Sequence, residues 1–191
     1  MNRLKYFSIL LFALVTIIGC KKKNTFENNR FFDKTFNWEI AIPDDYEKVI
    51  QKEKGEVKGD TALVKKENSI VAFKRDEANY FSANYENYPT GGDARGVDLK
   101  MRLKDFLLLK DIGKVYPKGK MGDYSVSSEK ISGLEFRKSK IEVTEDGKTV
   151  ATAVIFSKGF GDKIFVASIV YEDENYGKEI IDLFKKSTFK K

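Results

Sequence analysis

An α+β domain, a mainly antiparallel twisted sheet packed between helices, is predicted for this 191-residue chain by three features. Apolar and polar residues alternate at period two in short runs bounded by turn residues. Residues 150–156 and 164–171 are apolar on both parities, as in central strands covered on both faces. Residues 97–112 and 174–186 carry apolar side chains at three- and four-residue spacing, as in helices that lie on a sheet.

The chain begins with a segment of another kind. Arg3 and Lys5 precede an apolar run of 13 residues, 6–18, and Gly19 stands before Cys20, the only cysteine. A positive start, an apolar stretch and a small residue before a cleavage point define an export signal. The quartet Ile17-Ile18-Gly19-Cys20 resembles the signal of bacterial lipoproteins, although isoleucine is less typical than leucine at its first position. That resemblance implies cleavage before Cys20, a diacylglycerol on its sulfur and later acylation of the new amino group. The alternative, an N-terminal membrane helix with an incidental cysteine, needs about 20 apolar residues. The expected organisation is a signal peptide at 1–19, lipidated Cys20 with a flexible tether at 20–33, and one domain at 34–191. This places the protein in the bacterial cell envelope, anchored to the membrane through lipid on Cys20.

Composition narrows the chemistry. About 170 residues follow Cys20, enough to bury a two-layer core without disulfides. Lipidation of Cys20 would leave no thiol, and there is no histidine anywhere, which removes the commonest general base and metal ligand. No cofactor or metal site is expected. The formal charge of +6 is unevenly placed. Without Arg3 and Lys5 there are 33 basic against 29 acidic residues, or +4; without Lys21 to Lys23 and the tail lysines Lys185, Lys186, Lys190 and Lys191 there are 26 against 29, or −3. The lysine triplet after Cys20 suits either an anionic membrane surface or a solvated spacer. No basic element interleaved with aromatics is present, so nucleic-acid binding is not expected.

Within the domain, residues 36–42 alternate strictly, with Phe36, Trp38, Ile40 and Ile42 on one face, and stop at Pro43. Asp44-Asp45 before 46–50 reads as a helical turn with an aspartate cap. The charged, glycine-containing residues 51–60 read as a loop. Residues 62–66, 69–75 and 80–88 read as strands. The last of these places Tyr80, Phe81, Tyr85 and Tyr88 within nine residues, a candidate ligand or partner surface whose alternative is core packing. In the helix over 97–112, Leu99, Leu103, Phe106 and Leu107 form an apolar stripe widened by Met101, Leu108 and Ile112, with Gly113 as its end. The interval 113–120 has the wrong spacing and context for a phosphate loop. Beyond it lies a three-stranded meander. A bulge at 137–140 would reconcile Leu134 and Phe136 with the opposite parity of Ile141 and Val143. Asp146-Gly147 signals a tight hairpin. The closing helix over 174–186 has acids at its start and lysines at its end.

The strand ending at Pro43 with its acidic turn, the aromatic strand at 79–88, the amphipathic middle helix and the final helix running into Ser187-Thr188-Phe189 are similar in order to the Mog1/PsbP-like group, including its lipid-anchored bacterial members. The resemblance covers about residues 36–189 and rests on element order. It implies an antiparallel sheet between helices in a non-catalytic accessory or protein-binding module with an envelope protein partner, and it carries over no catalytic residue. Two alternatives are kept: a small-molecule or lipid carrier with a cavity between helix and sheet, and a hydrolase or other enzyme using carboxylates, tyrosines or serines such as Asp123, Tyr124 and Ser125.

Overall fold

Residues 25–49, 68–88 and 94–190 are described by the computed structural model of the chain. Cys20, the loop at 51–60 and the strand expected at 62–66 lie outside them.

The alternation around Trp38 produces β3 (Trp38–Ala41), with Trp38 and Ile40 buried. Two strands precede it within the stretch expected as a tether. These are β1 (Thr25–Glu27) and β2 (Arg30–Asp33), joined at Asn28-Asn29 with φ of 47° and 61°. These asparagines are turn residues: asparagine tolerates the left-handed conformation that a two-residue hairpin requires. Phe31 and Asp33 are buried, and Asp33 Oδ1 accepts the Phe36 backbone N–H at 2.9 Å, closing the turn into β3.

After Pro43 the chain does not form the expected capped helical turn. It enters β4 (Glu47–Val49), paired with β5 (Ser69–Lys74). Tyr46 is buried with its hydroxyl on Glu179, which holds this segment against the core, while Asp44 and Asp45 engage Asn29 and Arg75. β6 (Tyr80–Asn87) follows as expected. Helix α1 (Ala94–Val115) runs past Gly113. Next comes a strand that was not anticipated, β7 (Lys120–Ile131), which makes the meander four-stranded with β8 (Leu134–Glu145), β9 (Lys148–Phe160) and β10 (Lys163–Tyr171). Asp146 and Gly147, with φ of 50° and 77°, make the tight β8–β9 hairpin. α2 (Glu174–Lys185) and β11 (Thr188–Phe189) complete the chain.

All strand pairs are antiparallel, but they form two sheets rather than one: β1-β2-β3-β11, and β4-β5-β6-β10-β9-β8-β7. The large sheet is covered by α1 on one face and by α2 with the small sheet on the other. On the second face Trp38 meets Phe165 edge-on at 5.0 Å, Phe73 stacks on Phe81 at 4.6 Å, and the Trp38 indole N–H donates to Ser187 Oγ at 2.9 Å. β9 and β10 are buried on both faces, which explains their unbroken apolar runs.

The two covered faces also remove the bulge expected at 137–140. Pairing of β8 with both neighbours is continuous there. Phe136 faces the aromatic cluster, whereas Ile141 and Val143 face α1. The parity change reflects a change of covered face. The register shifts fall instead between Met121 and Tyr124 and between Val143 and Thr144.

Helix α2 begins at the N-cap Asp173, whose carboxylate accepts the N–H groups of Asn175 and Tyr176 at 2.7 and 3.0 Å. Gly177 lies on its buried side, where a Cβ would stand 2.6 Å from ring atoms of the buried Tyr171. Alanine would gain about 1 kcal/mol in helix propensity, but overpacking an aromatic ring in a closed core costs typically 1–3 kcal/mol. Gly177→Ala should therefore lower stability by about 1 kcal/mol in urea unfolding, and a clear increase would contradict this packing.

Candidate functional site

The four aromatic residues marked out by sequence do not make one surface. Strand alternation sends Phe81 and Tyr85 to the α2 face and Tyr80 and Tyr88 to the α1 face. Phe81 is 0% exposed. Tyr85 meets the Phe36 ring at 5.8 Å, and Tyr88 lies under Lys100 Nζ at 5.3 Å. Asp123, Tyr124 and Ser125 are successive residues of β7, and only Tyr124 enters a polar cluster.

That cluster sits under α1. The helix has two apolar faces half a turn apart, and the sheet takes the one carrying Met101, Asp105, Leu108 and Ile112. Asp105, 2% exposed, accepts from Arg137 Nη2 at 2.8 Å and the Tyr124 hydroxyl at 2.9 Å on one oxygen, and from Ser139 Oγ at 3.0 Å on the other. Arg137 also donates from Nε to Asp98 at 3.2 Å, and Asp98 receives Arg102 Nε at 2.8 Å. Burial works against the Arg137 charge, but the hydrogen bond and charge of Asp105 outweigh it and hold its pKa above the ordinary arginine value. Hydrogen bonding from Arg102, aided by the charges of both arginines, holds Asp98 below the usual carboxylate range. Burial, then the hydrogen bond to Asp105, raises the Tyr124 hydroxyl.

The stripe expected on the sheet consequently faces outward. Leu99 is 70% exposed and Phe106 63%, with Leu103 and Leu107 also exposed. On the adjoining edge strand β7, Met121, Tyr124 and Val126 are exposed too, and Phe106 shares a small hollow with Met121 and Tyr124. Scattered apolar residues on a surface are ordinary, but a contiguous patch marks a contact site. The periodicity of α1 was readable. Which of its faces turns inward depended on Asp105 meeting Arg137, 32 residues later, and no local pattern reveals that pairing.

Beside the cluster, the N-terminal half of α1 and strands β7 to β9 line an open groove of about 610 Å³. Val97, Met101 and Val126 form its apolar wall, and Asp98, Arg137 and Ser157 contribute polar groups. Among the described residues no group of three or more histidine, cysteine, aspartate or glutamate side chains is placed to hold a metal ion.

No family model and no curated protein matches the chain. Among solved structures, it is similar to the cyanobacterial PsbP (CyanoP) from Synechocystis, at 11% identity and a TM-score of 0.55, over 90% of this chain and 96% of that one. A Bacteroides thetaiotaomicron structure matches at 16% identity and a TM-score of 0.46, over 81% of this chain and 45% of that one. The first likeness is one of fold, and the chain has a PsbP-like fold.

Removing Arg137 strands a buried carboxylate, whereas removing both charges does not. Arg137→Met should cost about 3 kcal/mol or more, and the pair Arg137→Met with Asp105→Leu markedly less, in urea unfolding. A double variant as unstable as the sum of the single ones would show that the ion pair is not coupled.

Proposed function

We propose that this protein is a non-catalytic accessory module of the bacterial envelope, anchored by lipid on Cys20, that binds a protein partner through the outer face of α1 and the edge strand β7. The exposed row Leu99, Leu103, Phe106 and Leu107, continued by Met121, Tyr124 and Val126, carries this reading. A PsbP-like fold and a lipoprotein-type leader support it.

The position of the row relative to the anchor favours a protein over the bilayer. β1 belongs to the small sheet, on the face of the large sheet opposite α1. Its Phe26 ring lies under Lys48 of β4, the edge strand farthest from β7. Two layer spacings of about 10 Å and a helix radius of about 5 Å put the outer face of α1 roughly 25 Å from the plane of β1. Five residues, from Cys20 to Thr25, reach at most about 18 Å fully extended. A membrane holding Cys20 therefore cannot also lie flat against Phe106, and the row is presented to a macromolecule on the solvent side.

Two experiments separate the two halves of this proposal. Cys20→Ala should abolish palmitate labelling and membrane retention; a variant that kept both would remove the anchor. A photo-crosslinker at Leu103 should give one discrete protein adduct in intact envelopes, lost on Phe106→Glu. Because Phe106 is exposed, that substitution should change stability by no more than about 0.5 kcal/mol. Crosslinks only to lipid, or an adduct indifferent to Phe106→Glu, would reject the protein-docking role.

A further inference from the structure

A second feature on the α1 side is independent of the outer apolar row. Strand register places Ser128, Arg137 and Ser157 side by side across β7, β8 and β9, on the face toward α1. Ser157 is 3% exposed, lines the groove, and its hydroxyl has no hydrogen-bond partner. A buried hydroxyl without a partner is costly, and native proteins rarely leave one without a reason. Two residues further along β9, on the same face, Gly159 also lines the groove, and a Cβ there would meet nothing within 4 Å. Its φ lies outside the left-handed region, so the backbone does not require glycine. What glycine provides there is open space on the groove floor.

We propose that this groove is a binding site for a small, neutral, polyhydroxylated ligand of about one or two sugar rings. Its volume of about 610 Å³ lies in the range of small-molecule sites. Charge selects the ligand class. Arg137 is the cation at the floor, but Asp98 and Asp105 both face it, and Lys158, which also lines the groove, carries its ammonium over the Phe160 ring of the opposite cluster, so the floor offers no net positive charge to an anion. Of the five guanidinium N–H groups, four point to Asp98, Ser139, Asp105 and Tyr124, and the fifth, on Nη1, is not used by these bonds. Glu135 at the rim supplies an acceptor, and Val97, Met101 and Val126 supply an apolar wall for the C–H face of a sugar ring. Donors and acceptors on one side and methyl groups on the other suit a polyol better than a lipid tail or a phosphate.

The test uses the full chain, purified in a detergent without a sugar headgroup, and the probes glucose, N-acetylglucosamine and chitobiose, with inorganic phosphate as the charged control. Saturation-transfer NMR and calorimetry should show saturable binding of at least one sugar, tighter than phosphate. Ser157→Ala should weaken that binding by about tenfold or more while leaving the thermal midpoint unchanged or higher, since it deletes an unsatisfied buried hydroxyl. Gly159→Leu should abolish binding by filling the floor, with the fold retained because glycine is not a favoured strand residue. Phe106→Glu should bind sugar normally, so failure of the partner surface and failure of this site are distinguishable. No saturable sugar binding, tighter binding of phosphate, or sugar binding unaffected by both groove substitutions would overturn the proposal.

Discussion

The buried pair of Asp105 and Arg137 decides what the surface of this protein looks like. Two charges taken from water gain little net stability from meeting each other, so the pair matters less for how firmly α1 is held than for which way it is turned. Were the helix rotated by half a turn, Leu99, Leu103, Phe106 and Leu107 would be covered. Arg137, between β7 and β9 with only 14% of its side chain exposed, would then lie under leucines without Asp105. That rotation would also expose Met101, Leu108 and Ile112, so its apolar gain is only partial, while it would strand a cation in the interior without its carboxylate. The helix settles with its charge inward and its larger apolar stripe outward.

The other face of the large sheet is organised chiefly by aromatic packing. Trp38 is fully buried between Phe81, Phe165, Phe184 and Phe189, so it joins β3, β6, β10, α2 and β11 in one contact. Rings at these distances contribute through area and edge-to-face geometry together, and the indole N–H is satisfied by Ser187. The small sheet is thus a lid whose inner face completes the aromatic core. This asymmetry divides the molecule: the α2 face is closed over an aromatic core, whereas the α1 face carries a buried charge, an open groove and an uncovered stripe.

Much of this was legible in the residues. The alternation at 36–42, the Asp146-Gly147 turn, the doubly apolar runs of β9 and β10 and the apolar spacing and terminal charges of α2 are local signals, and each led to the right element. The likeness in element order also led to the PsbP-like fold. Other features depended on partners far along the chain. β7 has polar residues at most positions because it is an edge strand exposed on much of both faces, so it has no alternation to read. The strands at 25–33 hide behind the asparagines of their own turn. The extended run after Pro43 is held by Tyr46 reaching Glu179 across 133 residues, which overrode the aspartate cap signal. The aromatic density at 80–88 was visible, but density does not tell which side of a strand faces what, and alternation divided Tyr80 and Tyr88 from Phe81 and Tyr85.

The candidate site was the least legible part, for one physical reason. Amphipathic patterning reports a helix's apolar stripe, and the simplest assumption is that the stripe is buried. α1 is apolar on both sides, and the side that was buried contains a fully enclosed carboxylate, Asp105. A charged residue inside an apolar periodicity is usually read as an interruption. Here it marks the inward face, because a carboxylate survives burial only beside a matching cation, and β8 supplies one. The same arginine forms the floor of the groove and sets its charge balance. One buried pair therefore turns the apolar stripe toward solvent and leaves a neutral, hydrogen-bonding pocket beside it.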